Sequence, residues 1–359
     1  MLFETSPDVP KSLDFRTASA GGKLRYFAQA VRAAMAERFD VVICSHINLL
    51  PIASAAAAAQ RVPLLLVLYG IEAWERPRGL AAKLVKRAHA VVAISEYTKR
   101  RFLDWSGVQP SRVHVIPCGV DAERFGVGPK REDLLQKYEL RGRTVMLTVA
   151  RLAGRERAKG IDEVLESLTD IAREIPNISY LVVGDGQDRE RLEEKAIKLG
   201  VSDRVVFAGF VPEEEKADHY RLADAFVMPG RGEGFGIVYL EALACGLPIV
   251  ASSLDASAEV VLNSRFGYAV NPDRPAELQQ AVIDLLSRVG RAVPRELSTF
   301  SLGSFRARWN WLMAELQIGD LARIPLAASE MSYVATPGSS AGSIAAGGRV
   351  SEAPISGSR

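Results

Sequence analysis

The chain has 359 residues, 48% hydrophobic and 25% charged, the composition of an ordinary soluble globular protein of about two domains. Forty-five basic residues against 43 acidic ones leave a formal net charge of +2, which argues against nucleic acid or an acidic polymer as partner. The opening "MLFETSPDVPKSLDF" has no basic start and no apolar run, and the longest apolar stretch, "LLPIASAAAAA", is too short to span a bilayer.

Strands and helices alternate along the chain. "DVVICSH" (40–46) is a short β-branched run, and an Ala-rich helix follows it. "PLLLVLYG" (63–70) predicts a second strand, "GLAAKLVKRAH" (79–89) a helix, "AVVAIS" (90–95) a strand, "EYTKRRFLDW" a helix and "RVHVIPCG" (112–119) a strand. Short apolar strands separated by helices predict a parallel sheet covered on both faces. A polar, Gly/Pro-marked segment interrupts the pattern, placing a boundary near residues 125–143. The alternation then restarts through "TVMLTVAR", "GIDEVLESLTDIAREI", "SYLVVGDG", "QDRERLEEKAIKLG", "RVVFAGF", "EEKADHYRLA", "DAFVMPG", "GIVYLEALACG" and "LPIVASS". A final helix is expected at 301–316, and the Ser/Gly/Ala-rich stretch after about residue 326 is expected to be disordered. The domains are thus 1–130, 131–300, a terminal helix within 301–325 and a tail, 326–359.

Cys44, Cys118 and Cys245 sit in or beside apolar runs and read as small core residues of a cytoplasmic protein. No His/Cys/Asp cluster has zinc spacing.

Three loops of the second unit follow strands, where ligands bind in open α/β sheets. They are "ARLAGRERAKG" (150–160), "GDG" (184–186) and "PGRGEGFG" (229–236). Glycine lets backbone approach a ligand, and a helix starting near Gly236 offers unpartnered amides to an anion. Arg151 supplies a planar fork and Lys159 a point charge, which together read as a diphosphate cradle. The glycine spacing is neither that of a P-loop nor that of the Rossmann fingerprint. Glu233 in the loop and Glu241 on the helix each suit a pair of vicinal hydroxyls, as on a hexose and a ribose. Acid near a helix start is commonplace and carries little alone; the neighbouring Arg151, Lys159 and "GDG" give it weight.

These motifs resemble family 4 glycosyltransferases of the GT-B fold over roughly residues 20–316. "VARLAGRERAKGIDEVLESL", "YLVVGDGQDRERLEEKAIKLGVSDRVVFAGFVPEEE" and "DAFVMPGRGEGFGIVYLEALACGLPIVAS" fall in family order, and "VVAISEYTKRRF" and "VHVIPCGVDAERF" match in the first half. The resemblance implies an α/β fold of two Rossmann-like domains facing across a cleft. It implies a UDP- or GDP-linked sugar as donor, no further cofactor, no metal, and transfer with retention to a glycan or lipid-linked acceptor in polysaccharide or lipopolysaccharide assembly. Carried over, Arg151 and Lys159 hold the diphosphate, Glu233 the sugar and Glu241 the ribose. Gly184, Gly234 and the backbone of Phe235, Gly236 and Ile237 complete the donor site, and Gly209, Phe210 and Val211 line the base.

Two departures stand out. Where the family has H-G-x-E, this chain has Tyr69, Gly70 and Glu72, so Tyr69, Glu72 and the strand-end His46 are the acceptor-side candidates. About forty residues precede "FDVVICSH", and "SAGGKLRYFAQAVRAAM" fits the helix just ahead of it. The first strand and its Gly-Gly loop are therefore expected to be missing, leaving a truncated N-terminal domain. A non-catalytic nucleotide-sugar-binding protein and a sugar-nucleotide epimerase are the competing readings. Arg76, Arg78, Lys83, Lys86 and Arg87, with Leu80, Leu84 and Val85, offer a basic amphipathic face for the inner surface of the plasma membrane.

Overall fold

The computed structural model describes residues 22–154, 159–261, 266–287 and 290–318. The expectations of a missing first strand and of a disordered tail concern residues outside these ranges.

The first unit contains α1 (Gly22–Ala36), β1 (Val42–Cys44), α2 (Leu50–Gln60), β2 (Leu64–Leu68), α3 (Ile71–Trp74), α4 (Ala81–Leu84), β3 (Ala90–Ala93), α5 (Glu96–Ser106) and β4 (Val113–Val115). Its strands form a parallel sheet in the order β1-β2-β3-β4. All of β2 and β3 is buried, as expected for apolar runs covered on both faces. β1 and β4 are the outer strands among the described residues, and Ile43 on β1 is half-exposed. Helix α5 begins where Ser95 Oγ accepts from Thr98 N at 3.1 Å and ends at Gly107, in the left-handed region.

The second unit contains α6 (Glu132–Lys137), β5 (Thr144–Val149), α7 (Ile161–Glu174), β6 (Ile178–Val183), α8 (Arg189–Lys198), β7 (Val205–Gly209), α9 (Lys216–Leu222), β8 (Ala225–Val227), α10 (Ile237–Ala244), β9 (Ile249–Ser252), β10 (Gly267–Val270) and α11 (Pro275–Leu286). The strand order is β10-β9-β8-β5-β6-β7, all parallel. The chain winds outward from β5 to β7, then returns to the other side of β5 and winds outward again. The switch of direction between β5 and β8 opens a crevice at their carboxyl ends. Alternate residues of β5 enter opposite core layers. Val145 and Leu147 pack with Phe226 and Leu240, whereas Met146 packs with Leu165, Leu168 and Val282. Ile161, Val164, Leu165, Leu168 and Ile171 give α7 one buried stripe at helical spacing.

A last helix, α12 (Leu302–Glu315), lies against the first unit. Leu312, Phe305 and Trp309 pack with Leu65, Val67, Val92 and Ile116. Just before it, Val120 N donates to Phe300 O at 2.8 Å, so the two chain segments that pass between the units run side by side.

The structure departs from the sequence reading at several places. Residues 79–89 do not form one helix; α4 gives way to a 3-10 turn at Val85–Arg87. Leu84 and Val85 point into the core and only Leu80 of the apolar set is exposed, so the expected amphipathic face lacks most of its apolar side. β10 and α11 were not anticipated, because "FGYAV" is short and glycine-led and the helix after it begins with Pro275. Cys44 and Cys245 are core residues, as expected, but Cys118 is only partly buried and faces the cleft. Among the described residues no helix is long and apolar enough to cross a membrane, and no group of three His, Cys, Asp or Glu stands ready for a metal ion.

Candidate active site

The crevice at the β5–β8 switch point is roofed by the first unit and encloses a cavity of about 360 Å³. Ala150 and Arg151 enter it from the end of β5, Met228 from the end of β8, and Phe235 to Ile237 from the start of α10. Lys159 and Glu233 complete this wall, and Tyr69, Ile94 and Cys118 form the opposite one.

Lys159 Nζ lies 3.1 Å from Glu233 Oε2, and both side chains are largely withdrawn from solvent. Arg151 is exposed at the mouth beside them, and residues 155–158 of its loop lie outside the described set. The loop carrying Lys159 is anchored from behind. Asp162 binds Arg191 Nη1 at 2.7 Å and Lys195 Nζ at 2.6 Å. Burial alone would raise the Asp162 carboxyl, but those two cations win and hold it at about 2. On the neighbouring loop, Arg231 is pinned by Glu163 and, at 2.6 Å, by Asp273.

Two glycines let the loops close on one another. A Cβ at Gly184 would stand 1.9 Å from Ala150 O, bringing the ends of β5 and β6 into contact. A Cβ at Gly234 would stand 2.0 Å from Tyr69 O, so the two units meet backbone to backbone at the E-G-F-G loop. Phe235 is 2% exposed and packs on Phe300 with ring centroids 5.8 Å apart.

The candidates thus separate. Arg151, Lys159, Glu233, Phe235, Gly236, Ile237 and Tyr69 share the cavity. Glu241 does not; it is 5% exposed, and its oxygens are engaged by Lys216 Nζ at 2.8 Å and Tyr220 OH at 2.7 Å. Gly209, Phe210 and Val211 end β7 outside the cavity, with Phe210 exposed and the Gly209 carbonyl accepting from Gly184 N. Glu72 is spent on its own turn, accepting from Tyr69 N at 2.5 Å. His46 is not a cleft residue: it is exposed, and its Nδ1 caps a 3-10 turn by accepting from Asn48 N at 3.2 Å.

The sequence reading missed three residues. Cys118 shares the cavity, and burial, aided by Glu233, pushes its thiol up to about 11, so it is neutral near pH 7. Asp255 accepts from Glu233 N at 2.9 Å, and Lys216 pairs with Glu241. Nothing in "ASSLDASAEV" singles out Asp255, whose burial is a property of the fold. Lys216 gave no signal either, being one of several charges on α9.

Two parallel α/β units, facing each other over a cationic and acidic crevice at the switch point of the second sheet, make up the GT-B fold. Solved structures agree: Anabaena Alr3699/HepE in complex with UDP aligns with a TM-score of 0.70 at 22% identity, covering 80% of this chain and 82% of that one. A glycosyltransferase from Rickettsia africae aligns at 0.71 and 17% identity, covering 84% of each. The chain belongs to the family 4 glycosyltransferases. The model for Glycosyltransferase Family 4 matches residues 4–124, and that for Glycosyl transferases group 1 matches residues 130–292. Among curated relatives, the GDP-mannose-dependent alpha-(1-6)-phosphatidylinositol monomannoside mannosyltransferase of Mycolicibacterium smegmatis is 38% identical over 213 residues, 57% of this chain and 55% of that protein. The protein of that name in Mycobacterium tuberculosis H37Rv is 33% identical over 247 residues, 67% and 63% respectively. A D-inositol 3-phosphate glycosyltransferase of Geodermatophilus obscurus is 32% identical over 215 residues, 57% and 47%. The matches span about half to three-fifths of these relatives' length.

Proposed function

We propose that this chain is a hexosyltransferase that moves a sugar from a nucleotide diphosphate to a lipid-linked acceptor, with GDP-mannose the first donor to test. The observation that carries the reading is the Lys159–Glu233 pair, set beside Arg151 against the start of α10. Two cations and a set of unpartnered amides suit a diphosphate, and a carboxylate suits sugar hydroxyls. The names of the relatives point to GDP-mannose and inositol-containing acceptors rather than to lipopolysaccharide.

In this mechanism the bond from the sugar's anomeric carbon to the phosphate oxygen breaks as charge gathers on the diphosphate. Arg151, Lys159 and the α10 amides stabilise that charge in a shielded cleft. The acceptor oxygen bonds to the anomeric carbon on the same face, and its proton passes to the departing phosphate oxygen, which retains the configuration. No protein nucleophile enters; the one thiol in the cavity, Cys118, is held neutral. Glu241 sits outside the cavity wall, so a ribose reaching it lies beside Lys216 at the start of α9.

Thermal shift with GDP, UDP and their hexose conjugates is the direct test. A ligand at a hundredfold its Kd adds about 2.7 kcal/mol to stability. GDP-mannose is expected to raise Tm and to support transfer to an inositol lipid. Turnover is then compared in anionic and zwitterionic vesicles, since Arg76, Arg78 and Lys83 are exposed, as is Leu80 between them in the chain. Equal rates reject the membrane-contact part. Binding without turnover leaves a nucleotide-sugar-binding protein, and no response to any nucleotide rejects the reading.

A further inference from the structure

We propose that residues 255–259 form a strut that ties closure of the two units to the placement of Glu233, with Glu259 as a positioning residue; the catalytic consequence rests on the function proposed above. The segment is a short 3-10 helix, Ala256–Val260, directly after β9.

Its first end grips the Glu233 backbone from both sides. The Asp255 carboxylate, 2% exposed, accepts from Glu233 N at 2.9 Å, and Ala256 N donates to Glu233 O at 3.2 Å. The other oxygen of Asp255 accepts from Ser257 N at 3.0 Å and from Ser257 Oγ at 2.6 Å, which fixes the carboxylate's rotamer.

Its far end grips the opposite unit. Glu259 accepts from Glu96 N at 3.0 Å and from Tyr97 N at 2.6 Å, the first two amides of α5. These amides have no partner within their own helix, and the positive end of α5 favours a carboxylate there. Around this junction, Tyr97 OH donates to Leu254 O at 3.1 Å and Ser95 Oγ to Gly234 O at 2.9 Å.

The cross-domain hydrogen bonds of α5 therefore converge on the strut and on the residue after Glu233. Opening the cleft breaks the Glu259 bonds and releases the strut at its far end, so Glu233 is held at both ends of the strut only when the cleft is closed. Lys159 touches the Glu233 side chain, but it and Arg151 are carried by the loop after β5, whose backbone the strut does not hold. Glu259 is thus expected to act on turnover and not on nucleotide affinity.

The test uses the full chain with Glu259→Ala, and Glu259→Gln as the conservative variant that keeps one acceptor oxygen. Hydrogen exchange is measured on the segments containing Glu96–Tyr97 and Glu233, with GDP-bound compaction followed by small-angle scattering and nucleotide binding by calorimetry. The expected result for Glu259→Ala is at least tenfold faster exchange at both segments, loss of compaction, and GDP affinity within about twofold of the parent. Where transfer is measurable, kcat falls about tenfold or more with donor KM within about threefold, and Glu259→Gln falls between. Unchanged protection at Glu233 once the α5 amides are exposed overturns the strut. Exchange and compaction are read without turnover, so an inactive parent protein would reject the function proposed above, while the strut would still stand or fall on those two readouts.

Discussion

The C-terminal wall of the cleft carries the charged side chains Arg151, Lys159 and Glu233, whereas the N-terminal wall is made of Tyr69, Ile94, Cys118 and bare backbone at Gly70. On the function proposed above, Arg151, Lys159 and Glu233 supply attraction for a charged, hydroxylated ligand. The facing wall supplies shape, dryness and the closing contact. Under that proposal the duties separate: one wall binds, and the other completes the site by arriving. Substitutions in the two walls should therefore fail in different ways.

The largest effect is expected on the charged wall. Replacing Lys159 by Ala removes a cation from the diphosphate and leaves Glu233 without its partner. Loss of one such preorganised donor costs a factor of about 100–1,000 in kcat, and here nucleotide affinity should fall with it. Steady-state kinetics with calorimetry checks both; unchanged affinity would erase the division between the walls. A smaller and different failure is expected from Gly234→Ala. Its Cβ would meet Tyr69 O at 2.0 Å, so the walls must part. Overpacking of this kind costs about 1–3 kcal/mol. Turnover should drop about tenfold while nucleotide affinity holds within about threefold, by the same two measurements.

The smallest effect concerns the support behind the charged wall. Asp162 titrates at about 2 in the folded protein against 3.8 for the free side chain, so its ionised form stabilises the fold. That contribution is complete above about pH 4 and is lost as pH falls towards 2. With allowance for solvent at this part-exposed site it amounts to about 1–2 kcal/mol. Urea unfolding of Asp162→Asn across that range should show a flatter pH dependence than the parent; parallel curves would deny Asp162 this role.

How much was legible in sequence follows the same division. β2, β3, β5 and β6 were readable because a strand buried on both faces must be a continuous apolar run. That Arg151, Lys159 and Glu233 share one cavity was readable because loops that follow parallel strands gather at one end of the sheet. The break after α4 was not, because β3 starts at Ala90 and the chain must unwind before it, a demand set by the sheet and not by local propensity. Asp255 and Glu259 were equally hidden. Their partners lie across the fold, Glu259's more than 160 residues away, and no local pattern marks an acid that caps another domain's helix. The charged residues of the cavity declare themselves by type, and the residues that hold their loops declare themselves only in three dimensions.

The pairing of Val120 with Phe300 has a mechanical consequence. Both passages between the units run through this one place, bonded at 2.8 Å, and α12 fastens the second passage to the first unit. Two parallel tethers at one point resist twisting and sliding but yield to rotation about the line between them. Rotation about that line is the motion this junction opposes least, like a door on one pin. Displacement then grows with distance from that pin, and one angle describes how far the cleft stands open.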